Sequence, residues 1–183
     1  MKSLIFFCFT LFLFITLVGC GGASNEPVQS GSTATMNAEI TKEDLVYRLV
    51  SDKDSYQEGE KVKIHAELEY IGELDSITIY HAASPFYFDI TEKSRGYEIE
   101  YAMNEPLLST TLQKGEPYRE EYVKSGGFSD QDPPDYVSFM KRFFEEEGFP
   151  VGQYEINGSA RFYTGENEKK DYTIEARISF NVN

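Results

Sequence analysis

From Lys61 to Tyr70 the chain alternates without a break. Val62, Ile64, Ala66, Leu68 and Tyr70 fall on one side; Lys61, Lys63, His65, Glu67 and Glu69 fall on the other. A period of two with a single apolar face predicts a half-buried antiparallel strand with one wet face, and puts His65 on the wet side. Before it, Val46, Arg48 and Val50 interleave with Tyr47 and Leu49, and the run Ser51 to Ser55 supplies turn formers. Further strands are predicted at Ser76 to His81, Phe86 to Thr91, Tyr97 to Tyr101, Leu107 to Leu112 and Tyr118 to Val123. The last two, Gly152 to Tyr163 and Asp171 to Asn181, are joined by the polar turn Thr164 to Asn167. Their apolar faces are Tyr154, Ile156, Gly158, Ala160 and Phe162, and Tyr172, Ile174, Ala176, Ile178 and Phe180.

One segment changes period. Tyr136, Phe139, Met140, Phe143 and Phe144 recur at three- and four-residue spacing, which predicts a single helix. Asp132 is placed to cap it, Pro133 suits its first turn, Asp135 would complete a short capping box, and Gly148 would end it. About eight short strands with turns near every tenth residue and one inserted helix predict an all-β fold, an antiparallel sandwich. The aromatic stripe is expected to cover an edge or open end of that sandwich, with a recognition surface at Asp130, Asp132, Asp135, Tyr136, Phe139 and Phe143 as the alternative.

The first residues follow another rule. Lys2 is followed by an apolar run from Leu4 through Val18, the layout of an export leader. The tract is short for a bilayer-crossing helix, which needs about 20 residues, and no basic cluster follows it. Leu17-Val18-Gly19-Cys20 resembles the lipobox of bacterial lipoproteins, and the resemblance implies a diacylglyceryl thioether on Cys20, which becomes the first residue of the mature chain. Two or more acyl chains, at roughly 0.8 kcal/mol per buried methylene, hold a protein to a leaflet far more firmly than one does. Cys8 leaves with the leader, so the exported body has neither thiol nor disulfide and is stabilised by its core. The stretch from Gly21 to Asn37 is rich in glycine, serine and threonine and reads as a tether. The expected organisation is therefore a leader at 1–19, a lipidated cysteine and tether at 20–37, and one sandwich domain at 38–183. Localisation follows as the extracytoplasmic face of the cell membrane.

Charge narrows the partners. The chain carries 17 basic and 31 acidic residues, a formal net charge of −14. Such a body opposes nucleic acid and anionic membrane surfaces, leaving the lipid as the contact with the membrane. An extracytoplasmic protein or a wall polymer is the expected partner, and no cofactor is expected.

Two resemblances add to this reading. The order Tyr56, Gly59-Glu60, alternating strand, Tyr70-Ile71-Gly72 resembles the opening of immunoglobulin-like accessory domains of bacterial surface proteins. Ser84-Pro85-Phe86-Tyr87-Phe88-Asp89-Ile90, then Leu112-Gln113-Lys114-Gly115-Glu116, resembles the aromatic strand and the turn of the intracellular proteinase inhibitor domain family of bacilli. The second likeness spans Val62 to Tyr122. It departs from the family in having no tryptophan and in the segment Asp130 to Gly148. As a whole the chain resembles lipoproteins of bacillus-like, Gram-positive bacteria. The resemblances imply an immunoglobulin-like sandwich; the inhibitor family adds, as an alternative function, a loop near Gly126 to Pro134 that blocks a protease.

Catalytic chemistry has few residues to draw on. His65 and His81 are the only histidines, and a shared zinc would require them to meet across a sheet with a carboxylate. Ser84 and Ser125 lack a base in sequence and read as turn residues. Asp130, Asp132 and Asp135 offer calcium its preferred oxygen ligands, but without the glycine and terminal glutamate of a helix-loop-helix calcium loop. Glu145 to Glu147 put like charge at a helix C-terminus, where the dipole disfavours it. Asn157-Gly158-Ser159 has the form of a glycosylation acceptor and reads as a strand bend. The expectation is a non-catalytic binding or accessory module.

Overall fold

The computed structural model describes residues 34–165 and 167–183. Eleven strands and one helix follow in order: β1 (Met36–Lys42), β2 (Leu45–Ser51), β3 (Ser55–Tyr56), β4 (Ile64–Tyr70), β5 (Ser76–His81), β6 (Phe86–Glu92), β7 (Tyr97–Ile99), β8 (Leu108–Gln113), β9 (Tyr118–Glu121), α1 (Pro134–Glu145), β10 (Gly152–Thr164) and β11 (Lys170–Val182). One sheet runs β1-β2-β4-β9. The other runs β3-β11-β10-β5-β8, and along most of β10 the neighbour is β6, which carries β7 on its far side. Every strand pair is antiparallel except β3 with β11, where the chain leaving β2 crosses to the second sheet and runs parallel to the last strand. This is the expected all-β sandwich, largely antiparallel, with one inserted helix.

The long pair β10 and β11 shows why the alternation folds this way. Its register sets Tyr154 opposite Phe180, Gly158 opposite Ala176 and Phe162 opposite Tyr172. The two outer pairs stack their rings at 5.4 and 5.2 Å. The small central pair leaves a hollow, and Tyr47 and Leu49 of the facing sheet, neither of them exposed, fill it. A Cβ on Gly158 would lie 2.6 Å from the Tyr47 hydroxyl oxygen and 2.8 Å from a Leu49 methyl, with no solvent for either side chain to retreat into. Gly158→Ala is therefore expected to cost about 1–3 kcal/mol by overpacking, read as a lower urea midpoint of the full chain.

Helix α1 closes the end of the sandwich where β10 begins and β11 ends. Phe139, Met140 and Phe143 are buried, Tyr136 is half-buried and Phe144 is exposed. Phe139 packs on Tyr97, and Phe143 on Phe149, which in turn meets Tyr154 and Phe180. The stripe thus covers an open end, as its spacing predicts. Phe139 and Phe143 belong to the core and present no recognition surface.

Four other details differ from the sequence expectations. Asp132 does not cap the helix. Pro133 occupies that position with no side-chain cap, and the Asp132 carboxylate turns back to accept from the Ser129 amide at 2.6 Å and its hydroxyl at 3.1 Å. The helix ends at Glu145, and Gly148 instead packs against the backbone of the Gly59-Glu60 turn, where a Cβ on Gly148 would lie 2.6 Å from the Glu60 carbonyl oxygen. His65, expected on a wet face, is buried, because β4 is an inner strand flanked by β2 and β9. Finally, β1 begins at Met36, and β3 is a two-residue strand that no period reveals.

Candidate functional site

Strand β7, the chain that follows it and the loop before α1 build one acidic, aromatic groove beside the helix. In β7 and just beyond it, the alternation Tyr97-Glu98-Ile99-Glu100 buries Ile99 and turns Glu98 and Glu100 to solvent. Opposite lies the chain that enters α1, contributing Gly127, Phe128, Ser129, Asp132, Pro133 and Tyr136. The open groove between them has a volume of about 670 Å³. Tyr136 spans it: its hydroxyl donates to the Glu98 carbonyl at 3.2 Å and lies 3.4 Å from the Gly127 carbonyl, while its ring meets Tyr97 edge-on at 5.2 Å. Burial raises the pKa of this hydroxyl, and the carboxylates Asp132 and Glu100 raise it further.

The loop is held in place from below. Gly126 has φ of 125°, a conformation open to glycine, and a Cβ there would meet Ile99 at 2.9 Å. The Ser125 hydroxyl donates to the Ala102 carbonyl at 2.7 Å. Lys124 reaches under the helix end and donates to the carbonyls of Phe143, Glu146 at 2.8 Å and Gly148 at 2.6 Å. Its ammonium sits over the rings of Phe143 and Phe149, and burial lowers its pKa. A cation against the last carbonyls offsets the like charge of Glu145 to Glu147. Arg142 does the same from outside, pairing with Glu146 at 3.1 Å and Glu58 at 2.9 Å.

Of the residues singled out in sequence, Asp132 and Tyr136 line the groove. Asp130 and Asp135 are exposed beside the loop. The three aspartates do not converge as calcium ligands: among the described residues no group of three or more His, Cys, Asp or Glu is placed to hold a metal ion. His65 and His81 lie in different sheets, and the His81 ring nitrogens are engaged by the Ala82 carbonyl and the Thr110 hydroxyl. Ser84 accepts from the Phe86 amide, a turn role, and Phe86 and Phe88 are core residues. Gly158 is a packing residue of β10. Leu17, Val18, Gly19 and Cys20 lie outside the described residues.

Sequence reasoning missed Glu98, Glu100, Tyr97 and Phe128. The two-residue spacing of the glutamates marks them as sharing a face, but nothing local shows that this face meets the loop before α1. Glu98 and Glu100 also line the adjoining groove, which contains Asp89, Asn157 and Arg161. Around Asn157, Asp89 faces Arg161 at 3.6 Å, and Glu155 faces Arg177 at 3.7 Å and Lys93 at 3.8 Å. Among the described residues, by contrast, no cation lies within 4.0 Å of Glu98, Glu100 or Asp132.

No family model matches the chain, and no curated protein matches it at significant similarity.

Proposed function

We propose that the chain is a lipid-anchored extracytoplasmic binding module, non-catalytic, whose recognition surface is the groove between β7 and the loop entering α1. The observation that carries this reading is the groove itself. It gathers carboxylates without cationic partners and aromatic rings at one place, between β7 and a helix whose inner face is used by the core. Exposed polar and aromatic groups held on a rigid scaffold are the usual material of recognition. The anchor rests on the leader and the lipobox ending at Cys20.

Two experiments test the two halves. Metabolic labelling with an alkyne fatty acid is expected to mark the wild type in the membrane fraction and to leave Cys20→Ala unmarked; equal labelling of both removes the anchor from the reading. For the groove, deletion of 130–148 is unsuitable, because it strips Phe139, Met140 and Phe143 from the core. The test is crosslinking in living cells followed by mass spectrometry, with the wild type beside Phe128→Asp. A partner enriched by the wild type and lost in the variant is expected. Enrichment indifferent to Phe128 contradicts the groove, and a captured protease that the purified chain inhibits would replace this reading by the inhibitor alternative.

A further inference from the structure

We infer that the occupant of the groove is an extended, lysine- or arginine-bearing segment of a partner protein, an inference that rests on the binding-module reading above. Charge is the first reason. Glu98 and Glu100 form one edge and Asp132 stands on the other, while the domain's own nearby cations are committed elsewhere: Arg161, which shares the adjoining groove with the two glutamates, to Asp89 and the Tyr87 ring, Arg95 to Glu92 and the Val151 carbonyl, Lys124 to the helix end, Arg142 to Glu58 and Glu146. A positively charged guest would answer three carboxylates that have no cationic partner within the described residues.

The rings make the second reason. Tyr97, Phe128 and Tyr136 line the same groove, and aromatic faces attract ammonium and guanidinium groups while covering their methylene stems. The domain already uses this pairing next door, where the Arg95 guanidinium lies 5.5 Å from the centre of the Phe139 ring.

The choice of a polypeptide over a small amine follows from shape and spacing. The groove is open, so a single small cation would stay hydrated, and an isolated exposed ion pair contributes little. Glu98 and Glu100 are successive outward residues of an extended segment, roughly 6.5–7 Å apart along it. An extended guest with basic residues at alternate positions repeats that spacing and adds several weak pairs on one backbone.

The test uses the full-length chain in nonionic detergent and a short fluorescein-labelled peptide alternating glycine and lysine, followed by fluorescence anisotropy. Glu98→Gln/Glu100→Gln is compared with a charge-matched control, Glu73→Gln/Glu116→Gln, in the turns after β4 and β8. All four side chains are exposed. The groove variant is expected to bind about five- to ten-fold more weakly, with the control unchanged. Equal weakening in both, or none in either, overturns the inference, because diffuse attraction to an acidic chain then explains binding. Spermidine binding as tightly as the peptide overturns the polypeptide source. An in-cell partner that depends on Phe128, together with no groove-dependent peptide binding, overturns this inference and leaves the binding-module reading standing.

Discussion

Replacing Phe149 by alanine will lower the stability of the domain by about 3–5 kcal/mol, the range for deleting a buried aromatic side chain. Phe149 is almost wholly buried at the point where the inserted helix meets the sandwich. Its ring lies 4.9 Å from Phe143 of α1, 5.1 Å from Tyr154 of β10, 5.7 Å from Phe180 of β11 and 6.1 Å from Tyr122 beyond β9. Truncation leaves a cavity that none of these neighbours can fill without breaking its contacts with the others. The ammonium of Lys124 also loses one of its two aromatic faces. Phe144, on the same helix but exposed, provides the reference, and Phe144→Ala should stay within about 0.5 kcal/mol of wild type. Urea unfolding of the full chain reads both values through tyrosine emission, since the sequence has 13 tyrosines and no tryptophan. Equal effects of the two substitutions would show that the helix is a loosely docked appendage.

Glu92→Gln is expected to cost about 3 kcal/mol at neutral pH and to blunt the loss of stability on acidification. The side chain ends β6 with no exposure to solvent. Its carboxylate accepts from the amides of Ser94 at 2.9 Å, Arg95 at 2.8 Å and Gln153 at 3.3 Å, with the Arg95 guanidinium 3.3 Å away. It therefore ties the turn before β7 to the start of β10, and so holds up one wall of the groove. Gly152 leaves the space it needs, for a Cβ there would lie 2.5 Å from the carboxylate oxygen. An amide supplies one acceptor and turns an NH₂ group toward donors.

The pH dependence has a definite sign. Burial alone would raise the Glu92 pKa, but the hydrogen bonds from Ser94 and Arg95 outweigh it, and the folded value lies below the ordinary 4.5. A carboxylate depressed on folding adds stability above its unfolded pKa, and this stability is lost as pH falls through the folded value. Wild type should thus weaken below about pH 4.5, and Glu92→Gln should weaken less over the same interval. Glu43, held down by Lys170 and Tyr172, and Glu60, held down by Lys53 and the Gln57 amide, keep a residual dependence in the variant. Parallel acid profiles for the two proteins would contradict the role assigned to Glu92.

The parts of the fold legible in sequence were those whose period is long and one-sided. In β10 and β11 thirteen residues each alternate, and the apolar set falls inward throughout. The helix stripe named its buried residues because three- and four-residue spacing leaves one face. What stayed illegible depended on neighbours. β1 is an edge strand with most of its residues exposed, so its pattern carries no apolar face. The capping role of Asp132 failed because two prolines follow it: Pro133 holds an extended ψ of 136°, and the carboxylate finds its donors backward, in Ser129, rather than forward in the helix. His65 sits on the polar side of its own strand, yet Glu67 on the same strand and the flanking strands cover it. Burial lowers its pKa. The groove belongs to the same class, since Glu98 and Asp132 are brought together only by the docking of α1.

Recognition at the groove is most directly measured by placing a photo-crosslinking residue at Phe128 in living cells, with Leu74, an exposed side chain in the turn after β4, as the reference. Discrete covalent adducts are predicted from position 128, absent from position 74 and lost when Glu98→Gln/Glu100→Gln is introduced. The same adducts from both positions, or adducts from 128 that ignore the two glutamates, would contradict recognition at this groove.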